Sequence, residues 1–304
     1  MHAIRWLAAA LLLAGLMSAA HAEKKKAPPA PCDPQFIELG NVDLTIAEQP
    51  LVPVNLDGHP GYMVANVGDA ATYVWKSFAE SSDYRVIEGR TVIRGVRLGK
   101  TNFGRLRVFV ANPLWPAPPD ASLNVIGALG MDLLGEVDFE LDTTHRKLRL
   151  FSPDHCPGNV VYWTHNYAST PLHRDRLGNV SVPMELDQQS VEAMIMTSEH
   201  ATTLDKHTAR RVYGFSTGPD GSNSYVAMKM TAPGLTATNV TVSLEKLAKL
   251  RNECTLYTDK IARYSDNCAG IYPMQIGMNV LEKLRMFFAN REGVLYYSQA
   301  DATM

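Results

Sequence analysis

The chain contains itself twice, and that repetition restricts its fold more than any single motif. Leu51–Val74 reads LVPVNLDGHPGYMVANVGDAATYV, and Ser181–Leu204 reads SVPMELDQQSVEAMIMTSEHATTL. Each opens on Val-Pro, alternates apolar with polar residues, and turns at Asp57-Gly58 or Asp187-Gln188. Each then runs apolar, through Tyr62–Ala65 or Ala193–Met196, into a short polar loop. Alternation, a turn and a second apolar run predict a β-hairpin in each copy. A second matched pair follows, Val125–Phe151 and Tyr272–Ser298. Within it, Gly130-Met131-Asp132-Leu133-Leu134 corresponds to Gly277-Met278-Asn279-Val280-Leu281. Between the matched segments each half has another strand-like stretch, Val92–Ala111 and Tyr225–Leu244. One order of elements in both halves predicts an internally duplicated, all-β chain of two lobes.

Helix is expected to be sparse. Ser243–Leu250 has Leu244, Leu247 and Leu250 at helical spacing behind Ser243 as N-cap. Thr72–Glu80 and Asp132–Glu136 each suggest a turn or two.

The ends set the compartment. His2 and Arg5, the apolar run Trp6–Met17, and Ala20-His21-Ala22 form the three-part pattern of a secretory signal peptide, predicting cleavage after Ala22. The run is shorter than the ~20 apolar residues a membrane span needs. No later stretch is a second candidate, so no transmembrane segment is expected after cleavage. The chain thus divides into a signal peptide (1–22), a flexible mature start (23–35), a first lobe (36–152), a linker (153–176) and a second lobe (177–300), in a protein that is periplasmic or secreted.

The net charge is -2, from 29 basic and 31 acidic residues, and with no basic stripe or patch dominating the chain no nucleic-acid partner is expected. Cys32, Cys156, Cys254 and Cys268 are an even set in an exported chain, which favours two disulfides. Of the three connectivities, Cys254–Cys268 with Cys32–Cys156 is preferred: the first closes a short local loop, and the second ties the mature start to the end of the first half. No C-x-x-C or H-x-x-x-H spacing occurs, so no metal is expected, and no cofactor.

With its hairpin, loop and later Gly-Met segment, each half resembles a lobe of the retropepsin-like and pepsin-like aspartic proteases. Ile126-Gly127-Ala128-Leu129-Gly130-Met131-Asp132 carries the most specific part of the likeness. The resemblance spans Phe36–Ser298 and implies two acid-protease-like β-barrel lobes flanking a cleft, with a few short helices. It also implies flaps, for which Ser82–Arg94 and Gly214–Ser224 are the candidates. Gly127 and Gly130 in the first lobe, with Met274 and Gly277 in the second, are expected to line the cleft.

The family's Asp-Thr-Gly-Ala string falls on Asn66-Val67-Gly68-Asp69 in the first lobe and on Thr197-Ser198-Glu199-His200 in the second. Neither catalytic aspartate is present. Such enzymes hold two carboxyl groups that share a proton, one serving as base toward a water. Asn66 cannot take a proton near neutral pH, and Thr197 offers only a hydroxyl. Asp69 and Glu199 are close in sequence, but using them needs a register shift that turns side chains to the opposite face. Glu199, in place of the tight-turning glycine, predicts an altered second loop. The expectation is an intact scaffold without peptidase chemistry, binding an extended peptide or protein segment in the inter-lobe cleft. An active aspartic-type endopeptidase with a non-standard site and a structural partner in the cell envelope are the alternatives.

Overall fold

The computed structural model describes residues 36–46, 48–113, 123–214, 217–218, 220–245, 247 and 272–301. The signal peptide, the mature start through residue 35, and Cys32, Cys254 and Cys268 lie outside them, and with these three cysteines the expected disulfide pairings.

In chain order the elements are β1 (Glu38–Asp43), β2 (Thr45–Ile46), β3 (Pro50–Leu56), β4 (His59–Ala65), β5 (Tyr73–Trp75), α1 (Lys76–Ser81), β6 (Arg90–Leu98), β7 (Thr101–Ala111), β8 (Val125–Leu129), α2 (Met131–Leu134), β9 (Asp138–Asp142) and β10 (Lys147–Phe151). The second half continues with β11 (Ala168–Pro171), β12 (His173–Arg174), β13 (Val180–Leu186), β14 (Gln189–Ile195), β15 (Thr202–Asp205), α3 (Lys206–Tyr213), β16 (Ser224–Ala232), β17 (Leu235–Glu245), β18 (Met274–Ile276), α4 (Met278–Leu281), β19 (Leu284–Ala289) and β20 (Val294–Gln299).

The duplication is carried into three dimensions. The first lobe is a sheet ordered β2-β3-β4-β8-β5-β7-β6, closed into a barrel by β3–β6 pairing. The second is ordered β12-β13-β14-β18-β15-β17-β16 and closed by β13–β16. Each barrel uses the same two parallel pairs, β4–β8 and β5–β7 in one, β14–β18 and β15–β17 in the other. Closure removes the unpaired edges that make open antiparallel sheets aggregate. The predicted hairpins are β3–β4 and β13–β14, and both turns have two consecutive residues at positive φ. Asp57 and Gly58 lie at 51° and 96°, Asp187 and Gln188 at 46° and 69°. This matches the right-handed twist of the flanking strands.

A third sheet, ordered β1-β10-β9-β19-β20-β11, takes strands from both halves and joins them at β9–β19. Because the barrels share it, the described residues form one compact unit. The segment expected as a linker is structural: β11 within it supplies the sixth strand by pairing with β20. One face of the sheet is apolar, with Phe139 stacked on Phe288 at 4.5 Å. The other carries Asp138, Glu140 and Asp142, which alternate along β9 and are fully buried. Arg149 and Arg285 pair with Glu140, Arg285 also pairs with Asp142 at 3.2 Å, and His155 bonds Asp138. Residues of the connecting segment, Tyr162 and Trp163, roof this face, and the Arg285 guanidinium lies 4.6 Å from the Trp163 ring.

Two local expectations change. Ser243–Glu245 end strand β17 instead of starting a helix, because Ser243 and Leu244 are held by a parallel ladder to Thr203 and Leu204. Of the rest of that expected helix only Leu247, which is buried, is described. Helix α3 was not expected: it is short, and of its apolar residues Ala209, Val212 and Tyr213 only Ala209 is buried. Its ends are nonetheless well specified. Asp205 caps it by accepting from the Thr208 N–H at 2.9 Å, and Gly214 ends it at φ 76°. The short helices α1 and α2 overlap the segments expected for them, each passing one bound by a single residue, at Ser81 and at Met131.

Candidate functional site

The two equivalent loops meet where the lobes touch, and their hydrogen bonds define the correspondence. The Asn66 N–H donates to the Leu129 carbonyl at 2.9 Å, and the Met196 N–H donates to the Ile276 carbonyl at 2.9 Å. Met131 N–H donates to the Asp69 carbonyl at 2.8 Å, and Met278 N–H to the Glu199 carbonyl at 2.8 Å. The counterpart of Asn66 is therefore Met196, and Thr197 corresponds to Val67, Ser198 to Gly68, and Glu199 to Asp69. This corrects by one residue the expected second-lobe string of Thr197, Ser198 and Glu199. With no Asp-Thr-Gly in either half, no residue type marks the register inside the loop, and only the ladder with β8 and β18 fixes it. It also corrects the expected change of loop shape. Ser198, not Glu199, stands where the glycine would be, and the two loops make the same backbone bonds.

Gly68 is required where it is. A Cβ there would lie 2.1 Å from the Ile195 carbonyl oxygen and 2.4 Å from the Met196 sulfur, so the loops could not close. Ser198 fits the equivalent place and uses its hydroxyl, donating to Asn66 Oδ1 at 2.9 Å. Thr197 ties the lobes more firmly. Its Oγ1 accepts from the Val67 N–H at 2.9 Å and donates to the Ala65 carbonyl. Val67 has no hydroxyl, so the lock runs in one direction only. Asn66, Thr197 and Ser198 are all at most 1% exposed.

At the equivalent positions that the resemblance assigns to carboxyl groups stand a buried amide, Asn66, and a thioether, Met196. Neither can act as a base near neutral pH. The nearest carboxyl in the first loop is Asp69, which accepts from the Ala71 N–H at 3.0 Å and lies 3.4 Å from Asn66 Nδ2. Burial pushes its pKa up, and the charge of Asp132 adds to that. Asp132 is likewise raised by burial. It accepts from the Thr72 N–H at 3.0 Å and the Thr72 hydroxyl at 2.5 Å. In the second lobe Asn279 does the same work with a neutral group, accepting from the Thr202 N–H at 3.0 Å and hydroxyl at 2.7 Å. A carboxylate is thus a replaceable acceptor at this place in the fold.

The residues expected to line the cleft do not. Met274 is fully buried, and Gly127, Gly130 and Gly277 are buried too. A Cβ on Gly127 would lie 2.1 Å from the Tyr73 carbonyl oxygen, on Gly130 2.3 Å from Ala71 backbone, and on Gly277 2.4 Å from the Ala201 carbonyl oxygen. They let the loops pack down on the strands beneath. Nor does Ser82–Arg94 form a long flap. A tight turn at Glu88-Gly89 bridges Ile87 to Arg90, and β6 starts there. Gly214–Ser224 is described in part, with a turn in which the Gly221 N–H donates to the Gly218 carbonyl. Among the described residues no group of three His, Cys, Asp or Glu is arranged to hold a metal ion. No described helix is long and apolar enough to cross a membrane.

The chain matches no protein-family model, and no curated protein matches it in sequence. Among solved structures it is similar to basic 7S globulin from soybean, at 11% identity over 90% of this chain and 96% of that one, with a TM-score of 0.46. It is also similar to a retropepsin-like aspartic protease from Rickettsia conorii, at 15% identity over 39% of this chain and 94% of that one, with a TM-score of 0.29.

Proposed function

We infer that this is an exported protein that keeps an aspartic-protease-like scaffold, has lost peptidase chemistry, and binds an extended peptide or protein segment between its lobes. One observation carries the reading. The loops are held in the two-fold arrangement by Gly68, Thr197 and Ser198, while the positions for the acid pair hold Asn66 and Met196. Without a carboxyl at either place there is no general base and no shared proton, which removes the activation of water. What such a scaffold retains is backbone able to pair with an extended chain, and pockets for alternate side chains.

The test joins two measurements on the full chain. One follows cleavage of a denatured protein between pH 3 and pH 7, and the other follows fluorescence anisotropy of labelled extended peptides. Peptide binding without cleavage supports the proposal. Acid-dependent cleavage that disappears in Asp69→Ala supports the endopeptidase alternative instead, for which the buried, protonation-prone Asp69 next to Asn66 is the specific observation. Neither binding nor cleavage, with retention in an envelope complex, supports the assembly-partner reading. Export is checked separately by sequencing the mature N-terminus, expected at Glu23.

A further inference from the structure

Far from the loops, the outer wall of the first barrel carries a concentrated positive charge that the fold does not use. From Arg85 to Arg107 the sequence has seven cationic residues and one acid, Glu88, in a chain whose net charge is -2. The period-2 alternation of β6 and β7 sorts them. Thr91, Ile93 and Val108 point into the barrel, while Arg90, Arg94, Arg105 and Arg107 are exposed. Strand pairing sets Val92 opposite Arg107 and Ile93 opposite Leu106, so Arg94 and Arg105 come next to each other at the adjoining register shift. Arg85 joins them from the segment before β6. Together these five guanidiniums line a cleft of about 640 Å³, with His59, Tyr84 and Thr91 among the other walls.

Two acids reach this cleft, Asp57 and Asp83. The Asp57 carboxylate is already committed: it accepts from the Arg94 N–H at 3.0 Å, the Gly95 N–H at 2.6 Å and the Tyr84 hydroxyl at 3.2 Å. Among the described residues none of the five guanidiniums is in an ion pair, and Arg90 alone rests on a ring, that of Phe109 at 4.3 Å. Three arginines elsewhere are held by acids, Arg149 and Arg285 by Glu140 and Arg291 by Asp154. Like charges on neighbouring strands oppose folding. Structural need therefore does not account for this group, and an external anion would relieve the repulsion.

We propose that this cleft binds a ligand carrying two or more phosphate groups. Guanidinium presents a planar fork of donors that meets phosphate oxygens in pairs, and it stays charged at any physiological pH. Several forks around one opening favour more than one phosphate. The volume lies within the ~300–1,000 Å³ usual for small-molecule sites. A soluble phosphorylated compound and the headgroup of an anionic lipid share this chemistry.

The experiment titrates the full chain with inorganic tripolyphosphate by calorimetry at low and high salt, and co-sediments it with phosphatidylglycerol and with phosphatidylcholine vesicles. The expected result is saturable binding that weakens steeply with salt. In Arg94→Gln/Arg107→Gln it should fall at least tenfold while Tm is kept or raised, and it should be unchanged in Arg210→Gln/Arg211→Gln on the exposed face of α3. Tripolyphosphate binding without vesicle retention assigns a soluble ligand. Retention on phosphatidylglycerol alone, lost in the same cleft variant, assigns a lipid headgroup. If neither probe binds, or if both cationic variants bind as the wild type does, the proposal is overturned. Should the double variant not fold, Arg105→Gln alone replaces it and is expected to weaken binding several-fold.

Discussion

Replacing Thr197 with valine tests whether one hydroxyl holds the two lobes together. The side chain is fully buried, and valine matches its shape, so packing should change little. What is lost is a bond in each direction across the interface, from the Val67 N–H and to the Ala65 carbonyl. The site is closed to solvent by its burial, so a donor and an acceptor are left unsatisfied. Each such group costs about 1–3 kcal/mol, and the pair is expected to cost about 2–5 kcal/mol. In a domain of this size class each kcal/mol lowers Tm by roughly 2–4 °C, so the midpoint should fall by about 7–14 °C for a loss in the middle of that range. Thermal and urea unfolding measure the change. Thr197→Ser is the control: it restores both bonds and forfeits about one methyl group of burial, ~1 kcal/mol. If Thr197→Val unfolds within about 0.5 kcal/mol of the wild type, or no lower than Thr197→Ser, the hydroxyl does not hold the lobes and the reasoning fails.

Other consequences follow from particular residues. Asp132→Asn should fold, since Asn279 already fills the equivalent role in the other lobe. Burial raises the Asp132 pKa, so the stability linked to its protonated form is complete below the ordinary value of 3.8 and is lost as pH rises through the raised value. The variant should therefore gain on the wild type over that rise in urea titrations at several pH values; parallel curves would refute this. Gln188→Gly removes a side chain from φ 69° and should stabilise by about 0.5–1 kcal/mol net, after the extra freedom of glycine in the unfolded chain. An unchanged or lower unfolding midpoint would count against it. Arg285→Met strips a buried partner from Glu140 and Asp142 and should cost about 3 kcal/mol at pH 7. Urea unfolding measures the loss, and a cost below about 1 kcal/mol would show that the two acids do not need this partner.

The duplication, the two hairpins and the β character were legible in the chain because strand alternation and turn chemistry are local. Asp57-Gly58 and Asp187 announce their turns through residues that tolerate positive φ, while Gln188 follows by its place in the repeat. The arginine run from 85 to 107 was equally present, but the low overall charge masked it, and only barrel closure shows which of its members share a face. Helix α3 could have been found from Asp205 and Gly214 at its two ends, with Ala209, Val212 and Tyr213 at helical spacing between them. The loop register was beyond sequence reasoning. A substituted motif leaves no residue type to align, and the one-residue difference between Thr197 and Met196 is decided by hydrogen bonds to β8 and β18, strands far away in the chain. The burial of Gly127, Gly130 and Gly277 has the same origin. A glycine in sequence offers either a cleft wall or a close backbone approach, and only the neighbouring chain chooses. The sequence by itself thus determined that two similar β lobes form and that Asn66, not an aspartate, opens the first loop. Tertiary structure alone decided what replaces the second, how Thr197 locks the loops, and that the acids of β9 lie buried beneath the connecting segment, because each depends on contacts between residues far apart in the chain or on the packing of a segment without a pattern of its own.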